Sequence, residues 1–106
     1  RIKMKSRRQF GGKTVWQRCV KGFIFQGLVQ GVGFRYKAKY RQNPWGLTGW
    51  VRNEMDGTVT LEIQGRPQLV DKLLYGLSHD SFIRIDWMDT KDLPLEEDEK
   101  SFRVRM

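Results

Sequence analysis

One cysteine and one histidine, Cys19 and His79, are all the thiol and imidazole in the 106 residues. A lone thiol excludes an internal disulfide, so a reducing cytoplasm is the default compartment. No Cys/His cluster has metal-ligand spacing, so no metal is expected. No apolar run approaches the ~20 residues of a membrane span, and none near the start resembles a signal peptide. Acidic residues are missing from the first 21 positions, where eight of the 20 basic residues fall. From Gly22 onward that leaves 20 − 8 = 12 bases against 12 acids, so the net charge of +8 belongs to the N-terminal stretch alone. We read residues 1–17 as a flexible basic extension: a disordered leader, a vector remnant or a transit peptide. It could touch phosphates without specificity. Residues 18–106 form the folded domain. Nucleic acid is not an expected partner of that domain except through the extension.

What is present is enough for one core: 39% hydrophobic and 12% aromatic residues. The stretch from Thr14 to Leu28, rich in Val, Phe and Ile, predicts a first strand that is running by Cys19. A glycine loop follows, then a short helix over Phe34 to Gln42, stopped at Asn43-Pro44 because the residue before proline avoids the α region. Leu47 to Asn53 predicts a second strand, Met55-Asp56-Gly57 a hairpin turn, and Thr58 to Gln64 a third strand with Val59, Leu61 and Ile63 on one face. Pro67 suits the first turn of a helix striped with Leu69, Val70, Leu73, Leu74 and Leu77. Phe82 to Met88 alternates again, with Ile83, Ile85 and Trp87 on one face. A solvated acidic loop, Glu96 to Glu99, precedes a last short strand, Phe102 to Met106. This order predicts an α+β, ferredoxin-like βαββαβ sandwich: an antiparallel sheet of four to five strands with two helices on one face.

In that topology the third strand lies between the first and second and runs against both. The loop after strand one and the end of strand two then meet at one sheet edge, about 10 Å apart. The loop reads Gln30-Gly31-Val32-Gly33-Phe34 and delivers Arg35; strand two ends on Asn53. Successive backbone N–H groups and a helix N-terminus suit an oxyanion, and Arg35 adds a planar fork. Neither G-x-x-x-x-G-K-[ST] nor the third glycine of a dinucleotide fingerprint is present. On spacing alone, an anion site and a plain glycine-rich turn with a surface arginine stand level. Cys19 reads as a strand residue, His79 as a helix-end residue, and Trp50 and Trp87 as packing residues.

GLVQGVGFR at 27–35, GLTGWVRN at 46–53 and DGTV at 56–59 together resemble the acylphosphatase family, over roughly residues 18–106. The resemblance implies a hydrolase of acyl phosphates that uses neither metal nor cofactor. It implies that Arg35 and the backbone amides of Gln30, Gly31, Val32, Gly33 and Phe34 bind the phosphate, and that Asn53 orients the attacking water. The implied partner is a small-molecule acyl phosphate, with phosphate or sulfate able to occupy the same site. A monomer is expected, with no membrane partner. Glu54, next to Asn53, should point to the opposite face by strand alternation. The other readings are a non-catalytic nucleic-acid or anion-binding module of the same fold, and an acylphosphatase-like domain of a larger protein. RNA-recognition domains display aromatic residues on the central strands, and TVTLEIQ here does not.

Overall fold

Alternation in the central strand organises the molecule. In the computed structural model, which describes residues 18–106, Val59, Leu61 and Ile63 are fully buried and point to the helices. Their strand, β3 (Val59–Gly65), has β1 (Cys19–Leu28) on one side and β2 (Thr48–Asn53) on the other, antiparallel to both. The outer strands are β4 (Arg84–Leu93) beside β1 and β5 (Phe102–Arg105) beside β2, giving the order β4-β1-β3-β2-β5. Helices α1 (Phe34–Gln42) and α2 (Pro67–Ser78) cover one face. The predicted entry of β1 at Thr14 and the basic extension 1–17 lie outside the described residues. Among the described residues no helix is long and apolar enough to cross a membrane.

The predicted helix boundaries and stripe hold. Val70, Leu73 and Leu77 are buried, with Leu69 and Leu74 packed at the margin. Helix α1 is less self-sufficient, because nine residues fall short of the ~12–15 an isolated helix needs in water. Its orientation rests on Phe34 and Ala38, both buried. The Phe34 ring packs on Phe25 of β1 with centroids 5.1 Å apart. Burying such a ring stabilises by about 1.5–3 kcal/mol, and here that contact fixes where the helix begins. Helix α1 ends at Gln42, but not for the expected reason: Asn43 keeps α dihedrals (φ −53°, ψ −46°), and the chain tightens into a 3-10 turn, Asn43–Trp45, with Pro44 near its start, before Gly46 turns left-handed (φ +65°).

Two features amend the sequence reading. The sheet is not wholly antiparallel, since β5 pairs parallel with β2, from Gly49 with Phe102 to Arg52 with Arg105. The connection explains this. Strand β4 finishes at the sheet end where β1 and β2 start, and residues 94–101 cross that end to the far edge. Gln64 pins the crossing by accepting from the Glu96 N–H (2.7 Å) and donating to the Glu96 carbonyl (3.2 Å). The Thr48 hydroxyl donates to Glu99 (3.2 Å). Gln64 is therefore buried on the face away from the helices, and the acidic segment is partly tied down. The second amendment is Trp87. Gln26 pairs with Trp87 but Gly27 pairs with Ile85, so Asp86 is an extra residue in β4. This bulge resets the alternation. Ile85 and Met88 are buried, while Trp87 is exposed and donates through Nε1 to Asp89.

The GLTGWVRN motif also acquires a reason. Gly49 has φ +138°, and a Cβ there would lie 1.9 Å from the Glu62 carbonyl oxygen. Only glycine lets β2 approach β3 this closely, and that approach sets the position of Asn53 four residues on.

Candidate active site

The loop between β1 and α1 is shaped so that, among the described residues, its own amides stay unpaired. Gly31 and Gly33 are left-handed, with φ +74° and +78°, around Val32, which is not. Alternation of this kind turns successive N–H groups to one concave side, the nest geometry that takes anions. Among the described residues, no N–H from Gln30 to Tyr36 donates to another backbone group outside the regular elements; the first that does is Lys37, to the Gly33 carbonyl (2.9 Å). The first turn of α1 carries no acidic residue. The donor run therefore continues into the positive end of a helix. Side chains hold the loop instead. Val29 is fully buried and Val32 packs against the core.

Gln30 holds it from the other side. Its Nε2 donates to the carbonyls of Glu54 (2.7 Å) and Thr58 (2.9 Å). These carbonyls belong to the β2–β3 turn, so the loop and the end of β2 meet at one edge as the strand order predicts. Asn53 pairs with the core residue Val59 and thus sits on the helix side of the sheet. Among the described residues its side chain has no hydrogen-bond partner. Glu54 turns the other way, as alternation predicts. Its carboxylate accepts from Thr60 Oγ1 (2.7 Å) and Arg52 Nε (3.0 Å). Those bonds, Thr60 first, hold its carboxyl below the usual range, so the charge is kept off the loop's side of the sheet.

Arg35 is half-buried in the first turn of α1. Its Nη1 donates to the Arg105 carbonyl (3.2 Å) and lies 3.6 Å from Met106 Sδ. Arg105 is the ladder partner of Arg52, so the carbonyl that the guanidinium meets lies on the strand beside β2, near the end of β2. Among the described residues no carboxylate side chain comes within ion-pairing distance of it. The loop amides, Arg35 and Asn53 thus share one sheet edge.

A groove of about 800 Å³ crosses the helix-free face, lined by Trp50, Arg52, Thr60, Glu62, Asp89 and Lys91 among others. Trp50, expected as a packing residue, lies half-buried there under Arg105 (4.5 Å) and Arg52 (4.9 Å), so its ring face is already used by cations. Cys19 is buried at the start of β1, and His79 stacks on Tyr75 at the end of α2, with ring centroids 4.0 Å apart.

Sequence reasoning missed Asp80, which braces the helix that carries Arg35. Asp80 Oδ1 accepts from Lys37 Nζ (2.9 Å) and from the Phe82 N–H (2.8 Å), and Arg41 lies 3.8 Å away. Lys37 first, then the Phe82 amide, holds the Asp80 carboxyl below its ordinary value. A depressed carboxylate stabilises the fold above its unfolded pKa, about 3.9, and that stabilisation is lost as pH falls through the lower folded value. Asp80→Asn should therefore unfold at lower urea than the wild type at pH 7. The two midpoints should converge as pH falls below that lowered folded value. Equal midpoints at pH 7 would remove Asp80 from the bracing of α1.

Three comparisons bear on this arrangement. The family model for acylphosphatase matches residues 21–104. An acylphosphatase of Geobacillus thermodenitrificans is 39% identical over 82 residues, covering 76% of this chain and 87% of the relative. One of Clostridium perfringens is 40% identical over 83 residues, covering 77% and 93%. The crystal structure of acylphosphatase from Bacillus subtilis superposes with a TM-score of 0.76 at 25% identity, over 83% of this chain and 99% of that one. Fold, motif spacing and relatedness along most of the sequence agree, and the chain belongs to the acylphosphatase family.

Proposed function

We propose that the protein hydrolyses the carboxyl–phosphate bond of acyl phosphates, releasing a carboxylate and inorganic phosphate, without a metal ion. One juxtaposition carries this reading: a run of N–H groups, unpaired among the described residues, leading into Arg35 at the sheet edge where Asn53 ends β2. The backbone amides of Gln30, Gly31, Val32, Gly33 and Phe34 and the Arg35 fork take the phosphoryl oxygens. The Asn53 carboxamide holds a water in line with phosphorus. The water oxygen bonds to phosphorus, the phosphorus–oxygen bond to the acyl group breaks, and the bonding pair leaves on the carboxylate. The water's proton passes to an oxygen of the substrate's own phosphate. Carboxylates are weakly basic, with pKa about 4, so departure needs no general acid. Positioning and charge stabilisation supply the rate. Neither Cys19 nor His79 takes part.

Among the described residues no three His, Cys, Asp or Glu side chains come together as a metal-ligand set. The protein acts as a monomer in a reducing compartment, the cytoplasm, where a lone thiol such as Cys19 stays reduced; size-exclusion chromatography under assay conditions checks the monomer. The decisive measurement is hydrolysis of benzoyl phosphate in the presence of EDTA. Turnover at the same rate with and without the chelator, inhibited competitively by inorganic phosphate or sulfate, is the expected result. A folded wild-type protein with no turnover, or one silenced by EDTA, overturns the reading.

A further inference from the structure

The loop and the end of β2 belong to segments more than 20 residues apart in sequence, yet hydrolysis needs the phosphate held by one to face the water held by the other. Something must set that distance. Resting on the hydrolytic reading above, we propose that the Gln30 side chain is the positioning residue that does so. Through its carboxamide it locks the phosphate-holding loop to the hairpin that carries Asn53.

The argument is one of hydrogen-bond completeness. Gln30 Nε2 has two hydrogens, and it has two acceptors, the carbonyls of Glu54 and Thr58. Glu54 directly follows Asn53, and Thr58 directly precedes Val59, the cross-strand partner of Asn53. The amide therefore sits across the mouth of the turn, gripping both of its ends. The turn it grips is stiff in itself. The Glu54 N–H donates to the Thr58 carbonyl (2.8 Å) and the Gly57 N–H to the Glu54 carbonyl (3.2 Å). Asp56 Oδ1 accepts from the Thr58 N–H (3.0 Å) and hydroxyl (2.6 Å). With Gln30 in place each of the two carbonyls has two donors, which is its full capacity. A shift of Gln30 would carry the first amide of the donor run with it. This clamp uses only a side chain, so the loop keeps its N–H groups for an anion. Asparagine is one methylene shorter, and glutamate would set a carboxylate against two carbonyl oxygens.

A role in positioning is separable from a role in folding. Benzoyl phosphate kinetics and inhibition by inorganic phosphate are compared for wild type, Gln30→Leu, Asn53→Ala and the double variant. Gln30→Leu should lower kcat by about tenfold or more, the scale of a misplaced reacting group. The inhibition constant for phosphate should stay within about threefold, because Arg35 and the amides remain. In the Asn53→Ala background the same substitution should cost less than about threefold in kcat, since the group it positions is already gone. Gln30→Glu keeps the size. Its activity relative to wild type should recover as pH falls toward the carboxyl pKa of about 4.3, where protonation restores one donor. Equal loss in both backgrounds, wild-type kcat in Gln30→Leu, or phosphate affinity falling in step with kcat overturns the proposal. Should Gln30→Leu fail to fold, the pH profile of Gln30→Glu decides it, and a flat profile overturns it. An inactive wild type strikes at the hydrolytic reading instead, whereas normal Asn53→Ala behaviour with a wild-type Gln30→Leu strikes at the clamp alone.

Discussion

Replacing Arg35 with glutamine should lower kcat/KM for benzoyl phosphate by about 10²–10³-fold or more, the loss that follows removal of one pre-placed donor to developing charge. Two features of the site set that size. Among the described residues no carboxylate pairs with the guanidinium, so its full charge is available to a dianionic phosphate. The amides beside it are neutral donors that cannot stand in for a cation, and Lys37, whose side chain lies against Gly33, is paired with Asp80 (2.9 Å). Glutamine keeps length and one donor group but removes the charge and the fork. Inhibition by inorganic phosphate should weaken in parallel, because the ground-state anion meets the same group as the transition state. Arg35→Lys should recover only part, since a point charge cannot bond two oxygens at once. The fold should barely notice. Arg35 is only half-buried, and its contacts are a long bond to the Arg105 carbonyl (3.2 Å) and an approach to Met106 Sδ (3.6 Å); one such bond contributes about 0.5–1.5 kcal/mol. A urea midpoint near that of wild type, with activity gone, is the expected pair of results. Unchanged phosphate inhibition in Arg35→Gln would remove this residue from the cradle.

Much of this site was legible before any coordinates, and the reason is local. Where a pattern is short-range, the sequence carries it. The alternation of Val59, Leu61 and Ile63, the helical stripe of Val70, Leu73 and Leu77 and the stop at Asn43-Pro44 each depend on neighbours a few residues away. Strand order then follows from the sequence of elements, and strand order brings Arg35 and Asn53 to one edge. What stayed hidden depends on contacts between distant segments. The extra residue Asp86 shows only in the pairing of β4 with β1, so Trp87 reads as inward-facing until that register is known. The parallel pairing of β5 depends on which end of the sheet residues 94–101 cross. Gln64 looks like an outward polar residue until Glu96 closes over it. Gln30 reads as a loop residue because nothing in VQG announces two carbonyls 24 and 28 residues away. Lys21, one of the basic residues counted with the N-terminal charge, is instead buried in β1 and paired with Asp92 of β4. A charge tally cannot distinguish it from a solvated lysine.

Asn53→Ala should separate chemistry from binding more cleanly than any other change. The side chain sits half-buried at the end of β2, with no hydrogen-bond partner among the described residues, so truncating it breaks no internal bond and leaves no polar group behind. Stability should change by less than about 1 kcal/mol, as for most substitutions away from core and caps. The cost should fall on turnover. A water that is no longer held in line must be found from bulk, and kcat should drop by about 10²–10³-fold. KM and the phosphate inhibition constant should stay close to wild type, since the cradle of Arg35 and loop amides is intact. Asn53→Asp then tests where the side chain points. It has nearly the same shape, but on the helix-side face its carboxylate would confront the phosphate. Glu54 escapes that repulsion because alternation turns it to Thr60 and Arg52. Asn53→Asp should therefore lose phosphate affinity as well as turnover, while Asn53→Ala loses turnover alone. If the two variants weaken phosphate binding equally, or if Asn53→Ala keeps wild-type kcat, the asparagine does not hold the attacking water.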